Sequence, residues 1–147
     1  MYILFIVLMI VFCVVTGPSF SYQYYIDPIS LVVLLMVGIP VLISTGLMKD
    51  FNNAFKLGLS KKKEATIREV KRAIEAVALF QKVMITTGIV SFFMSAVLVL
   101  IQRPEYEILM PSMAVASLAP LYASVIALIL QPIEVSLKLR LQDMLHE

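Results

Sequence analysis

The stretch 67–101 reads IREVKRAIEAVALFQKVMITTGIVSFFMSAVLVLI, and its two halves follow different rules. Up to Lys82, the residues Ile67, Val70, Ile74 and Val77 recur at 3-4-3 spacing among Arg68, Glu69, Lys71, Arg72 and Glu75. That is the one-sided apolar seam of an amphipathic helix, sustained for about one and a half heptads. From Val83 onward charge disappears and the chain stays apolar to Ile101. A bilayer core of roughly 30 Å takes about 17–25 such residues of helix. No proline occurs in the stretch and its first glycine is Gly88, so the pattern predicts one helix of about 35 residues that begins in water and ends in a membrane. The seam is read either as a cytoplasmic subunit contact or as the face by which the helix lies on its own bundle.

Three further apolar stretches flank this one: Tyr2 to about Gly17, Ile29 to about Met48, and Ile108 to about Leu130. None of the four contains Lys, Arg, Asp or Glu. The first lacks the basic start of a secretory signal and is read as a retained helix. The whole chain of 147 residues is 61% hydrophobic and 15% charged, against about 45–50% and about 25% in soluble domains. A water-soluble globule of this length has too little interior for that much apolar surface. Soluble enzymes, nucleic-acid binders and disordered tails are therefore excluded, and the expected partner phase is a lipid bilayer. The fold class expected is an all-α membrane protein with four transmembrane helices.

Charge sets the orientation. Nine of the 12 Lys and Arg lie from Lys49 to Lys82, two follow the fourth span (Lys138, Arg140), and one, Arg103, sits between spans three and four. The positive-inside rule places the first two groups in the cytoplasm, together with both termini. Tyr22, Tyr24 and Tyr25 in one outer turn and Tyr106 in the other suit the headgroup layer. The chain then divides into spans one and two (1–48), a short cytoplasmic helical segment (49–82), and spans three and four with a short cytoplasmic C-terminal helix (83–147). In the cytoplasmic segment Asp50 is expected to cap a short helix over Phe51 to Leu57, ended by Gly58. Ser60 is expected to cap the next, with Lys63 where a full capping box has Glu. Pro40, Pro111 and Pro120 fall inside spans, where they mark bends.

Residues able to carry enzyme chemistry are missing. The single His146 and single Cys13 make neither a metal site nor an intrachain disulfide, and no metal, cofactor or catalytic motif is expected. Asp27 stands at the outer start of span two and Glu134 just past the inner end of span four. Ion carriers usually keep an acid at membrane depth, so an ion pathway through this chain is expected to borrow its carboxylate from another chain. Small residues at helical spacing fill the last two spans instead. Thr87, Ser91 and Ser95 share one face of span three, and Ser117, Pro120 and Ser124 share one of span four. Ser112, Ala116, Ala119, Ala123 and Ala127 form a stripe suited to close helix packing. The hydroxyls read either as part of that packing or as the lining of an ion pathway beside a partner helix.

Several segments resemble the MotA/TolQ/ExbB proton-channel family, and a shortened MotA-like stator subunit in particular. Tyr25-Ile-Asp-Pro-Ile-Ser-Leu-Val-Val-Leu-Leu is similar to the start of that family's second span. Leu47-Met-Lys-Asp-Phe-Asn-Asn-Ala-Phe-Lys resembles its first cytoplasmic turn. Met113-Ala-Val-Ala-Ser-Leu-Ala-Pro-Leu-Tyr-Ala and Gln131-Pro-Ile-Glu-Val-Ser-Leu-Lys-Leu-Arg follow its fourth span. Where the family has paired threonines, Ala119 and Pro120 stand here. The resemblance implies a homo-oligomeric ring, with five copies expected, in the bacterial cytoplasmic membrane. The ring would surround a single-span MotB/ExbD-like partner dimer bearing an intramembrane Asp. Spans one and two would form its outer wall, spans three and four its pore lining, and ion flow, by protons, would be converted into rotation or force. The alternative expectation is a non-conducting four-helix scaffold.

Overall fold

The computed structural model describes residues 27–59, 65–102 and 105–146, of which 92% are helical with no strand among them. The first apolar stretch, Tyr22, Tyr24, Tyr25, Ser60 and Arg103 lie outside the described residues. Among the described residues two helical stretches are long and apolar enough to cross a membrane, and a third qualifies if two consecutive bent helices count as one span.

The first described helix, α1, is Pro28–Ser44. Asp27 caps it, its carboxylate accepting from the Ile29 and Ser30 N–H groups at 3.1 and 3.3 Å. Pro28 follows at the first helical position, where its missing N–H costs nothing. The expected end near Met48 is wrong by four residues. Gly46 adopts φ +69, its N–H reaches the Ile43 carbonyl at 3.0 Å, and the Leu47 N–H reaches that of Leu42 at 3.0 Å. This is a Schellman ending, which uses the left-handed glycine to satisfy the last carbonyls. At about 25 Å, α1 is somewhat shorter than the hydrocarbon core.

After the glycine turn the chain bends by 101° into α2, Met48–Leu59. This helix starts before Asp50 and runs past Gly58, so neither residue has its expected capping role. Asp50 is instead drawn to Arg72 at 3.0 Å. Gly58 continues the helix at a close approach, since a Cβ there would stand 3.0 Å from Ile133 Cγ2. The last α2 carbonyls are satisfied from elsewhere: Arg140 donates to Leu57 O at 3.2 Å and Ser136 Oγ to Gly58 O at 3.4 Å.

The long helix expected from the opening stretch is α3, Ile67–Ile101, unbroken over 35 residues. Its cap is Thr66 rather than Ser60. Thr66 and Glu69 form a capping box in which the Thr66 N–H donates to Glu69 Oε2 at 3.1 Å. Those hydrogen bonds hold the Glu69 carboxyl below its ordinary range. The predicted fourth span is two helices in line, α4 (Tyr106–Ala116) and α5 (Leu118–His146), a helical stretch of 41 residues that contains an apolar segment long enough to cross a membrane. Pro120 has no N–H for the Ala116 carbonyl, and the ladder shifts around that gap. The Ser117 N–H is shared between the Met113 and Ala114 carbonyls at 3.2 and 3.1 Å, while the Leu121 bond to Ser117 O stretches to 3.4 Å.

α3 and α5 are the antiparallel spine, with α1 and α2 laid on it. The core runs through Leu34 and Leu42 of α1, Ala54 of α2, Val70, Val77 and Met84 of α3, and Ile133 and Leu137 of α5. Val70 and Val77 are wholly buried within the chain, so half of the seam is spent on the bundle itself. Ile67, 44% exposed, and the half-buried Ile74 keep surface for a neighbour. Beyond the apolar spans, where this core is shielded from water, each fully buried Val or Leu contributes about 1.5–3 kcal/mol. Between the spans, lipid is as apolar as leucine and close packing replaces the hydrophobic term.

Candidate functional site

The inner wall of the site is the α3–α5 crossing. Ala116, Ala119, Ala123 and Ala127 are buried there, and Ser112 is half-buried at the outer end of the same stripe. Their small size lets the helices meet backbone to backbone at Gly88. A Cβ on Gly88 would stand 2.8 Å from Ala123 Cβ, 3.0 Å from Pro120 Cα and 3.1 Å from Ala119 O. Pro120 thus serves two ends: it interrupts the hydrogen-bond ladder and lies against the one α3 residue without a side chain.

Beyond this crossing a cleft of about 720 Å³ lies between the start of α1, the C-terminal half of α3, and α4. Its polar lining is Asp27, Ser30, Ser91, Ser95 and Ser112; the rest is apolar, with Met94, Leu98 and Val115 among it. Ser91 and Ser95 come from the predicted hydroxyl face of span three. Thr87, the third member of that face, is half-buried beside Gly88 and does not line the cleft. Ser117 and Ser124 are exposed elsewhere on α4–α5, so the two hydroxyl faces do not share one cavity in the single chain.

Helix register gives the depth of the cleft. Gly38 of α1 lies against the side chains of Met84 and Phe80 of α3. The helices run antiparallel, and Asp27 is eleven residues before Gly38, about 16 Å along the axis. Asp27 therefore stands near the level of Ser95, roughly 9 Å short of the end of α3 at Ile101. An acid that by sequence lies at the start of a span is thus set beside the apolar C-terminal part of α3. Its carboxylate also accepts the Ser30 hydroxyl at 2.5 Å, and its backbone N–H donates to the Tyr122 hydroxyl at 2.8 Å. Both carboxylate oxygens and the backbone N–H of Asp27 are thus hydrogen-bonded at the start of α1. Tyr122 pins the start of α1 to α5. Tyr122 is not singled out by sequence because its partner lies 95 residues away, whereas Ser30, three residues after Asp27, carries a local capping signal that the apolar pattern masks.

The hydroxyls also differ in what they can offer. Ser112, Ser117 and Ser124 donate to the carbonyls four residues back, Ile108, Met113 and Pro120, at 2.8–2.9 Å. Their oxygens remain acceptors, but their protons are already committed. At the other end of the spine, Glu134 is paired with Lys138 at 2.6 Å and faces Gln81. With its amide turned to satisfy both ends, Gln81 donates to Glu134 Oε2 at 2.8 Å and accepts from the Gln131 N–H at 3.1 Å. This polar knot joins α3 to α5 next to Pro132. Among the described residues no group of His, Cys, Asp and Glu could hold a metal ion. The cleft's lining offers hydroxyls and one carboxylate within an apolar wall. Comparison with family models, with curated proteins and with solved structures gives no match to this chain.

Proposed function

We propose that this chain is a ring-forming subunit of a MotA-like ion-driven motor in the bacterial cytoplasmic membrane, closing around the transmembrane helices of a partner dimer. The observation that carries the reading is the hydroxyl- and carboxylate-lined cleft beside the apolar C-terminal part of α3. Polar groups at membrane depth line pathways or meet other polar groups. The most apolar stretch of α3 is only 17% buried within the chain, which leaves room for further helices around it. The motifs at Asp27, Leu47, Met113 and Gln131 support the same assignment. In the ring, copies of α3 and of the α4–α5 span face the partner, the partner's intramembrane Asp carries the ion, and α1 stands behind. Both termini and α2 are cytoplasmic, where nine of 12 basic residues precede the apolar part of α3.

A specific observation supports a second reading, a non-conducting scaffold: the hydroxyl protons of Ser112, Ser117 and Ser124 are held by their own helix. Co-expression with a single-span, Asp-bearing partner separates assembly from its absence. Purification of a particle with several copies of this chain around two partner chains is expected. A strictly monomeric particle that retains no such partner removes the proposal.

A further inference from the structure

We infer that the outward face of α2 is a binding surface for anionic phospholipid headgroups. α2 begins four residues after α1 ends and is turned 101° from it. α1 exposes apolar side chains close to the turn, Ile39 and Ile43 among them. With α1 embedded through that surface, α2 runs along the membrane plane where the hydrocarbon stops.

The two faces of α2 are sharply divided. Ala54 and Leu57 are buried, and Phe51 and Phe55 pack partly buried against the core, with Phe51 stacked near Phe80 at 4.8 Å between ring centroids. Its apolar side is thus taken by its own bundle and cannot enter lipid. The opposite face presents Lys49, Asn52, Asn53 and Lys56, all exposed. Lys49 and Lys56 are seven residues apart, which places them on one side of the helix about 10 Å from each other. The helix has one acid, Asp50, and Arg72 of α3 occupies it. Neither lysine has an acidic partner among the described residues. Two uncompensated ammonium groups flanked by amide donors, held at headgroup level on a helix fixed from behind, suit a phosphodiester anion. A juxtamembrane basic cluster is attracted to anionic lipid; here the fold aims a defined pair of lysines at it.

The test uses the full chain in nonionic detergent, titrated with dioctanoyl phosphatidylglycerol or dioctanoyl phosphatidylcholine and read by native mass spectrometry. The anionic lipid should bind several-fold tighter, and Lys49→Gln and Lys56→Gln should each weaken it about fivefold. Lys71→Gln removes the same charge from an exposed position on α3 rather than on the outward face of α2 and should leave binding unchanged. Equal binding of the two lipids overturns the inference, as does a Lys71→Gln loss matching that of Lys56→Gln. Displacement by an equal concentration of inorganic phosphate would mark a free-anion site and also overturn it.

Discussion

Replacing Gly88 with alanine should loosen the α3–α5 crossing, whereas the same change at Gly38 should not. Within a helix, Gly→Ala normally gains about 1 kcal/mol through backbone propensity. At Gly88 the new methyl would meet Ala123 Cβ at 2.8 Å, Pro120 Cα at 3.0 Å and Ala119 O at 3.1 Å. Comfortable carbon–carbon separation is about 3.5–4.0 Å. Two of the three obstacles are backbone atoms, so the helices must part by roughly 0.5–1 Å, and overpacking of this kind costs about 1–3 kcal/mol. Buried Ala119, Ala123 and Ala127 then lose contacts along the same seam. The balance is a loss of roughly 1–2 kcal/mol. At Gly38 the obstacles are Met84 Cε and Phe80 Cε2, far ends of flexible side chains. Met is adaptable, and the expected change there is within about 0.5 kcal/mol of zero. Equilibrium unfolding in mixed micelles, followed by far-UV circular dichroism, measures both variants. Ala123→Gly in the Gly88→Ala background should recover part of the loss, because it removes the nearest obstacle and leaves the two backbone ones. Gly88→Ala as stable as the parent, or Gly38→Ala the worse of the two, would refute the packing argument.

Other expectations follow from single contacts. Tyr122→Phe leaves the Asp27 N–H without its 2.8 Å partner at membrane depth and should cost about 1–3 kcal/mol in the same unfolding assay. Glu69 has its folded-state pKa depressed by Thr66, so its contribution is present above the ordinary value of 4.5 and is lost as pH falls through the lower folded value. Amide exchange over the first turn of α3, corrected for intrinsic rate, should therefore accelerate on acidification in that window; Glu69→Gln should remove the pH dependence, whereas Thr66→Ala, which keeps the backbone N–H donor, should only reduce it. Pro120→Ala restores the N–H that the Ala116 carbonyl lacks. By relaxing the break at Ser117 it should impair activity of the assembled particle more than its assembly; no change in either would show that the break has no role in the pathway.

The long helix α3 was legible because its cue is local. An apolar seam passes into an apolar span with no breaker, and nothing tertiary is needed to see it. Thr66-Ile67-Arg68-Glu69 carried the capping-box signal as well, and the nearer-looking Ser60 lacked the Glu three residues later. The end of α1 was written in Gly46, which periodicity overlooks since Leu47 and Met48 prolong the apolar run. α2 outgrew its expected bounds for tertiary reasons: Asp50 sits inside the helix and pairs with Arg72 of α3, and Gly58 lies against Ile133 rather than at a helix end. The cleft was half legible. Ser91 and Ser95 follow from spacing along one helix, but the arrival of Asp27 beside them depends on the register between α1 and α3, which no local pattern encodes.

Ion flux in sealed vesicles holding this chain and a single-span, Asp-bearing partner of the proposed kind tests the motor reading most directly. With a proton gradient and an imposed membrane potential, the pair should conduct, and Asp→Asn in the partner's transmembrane helix should abolish conduction while the particle stays assembled. An assembled particle that passes no ions at any potential would contradict the motor reading and leave the scaffold in its place.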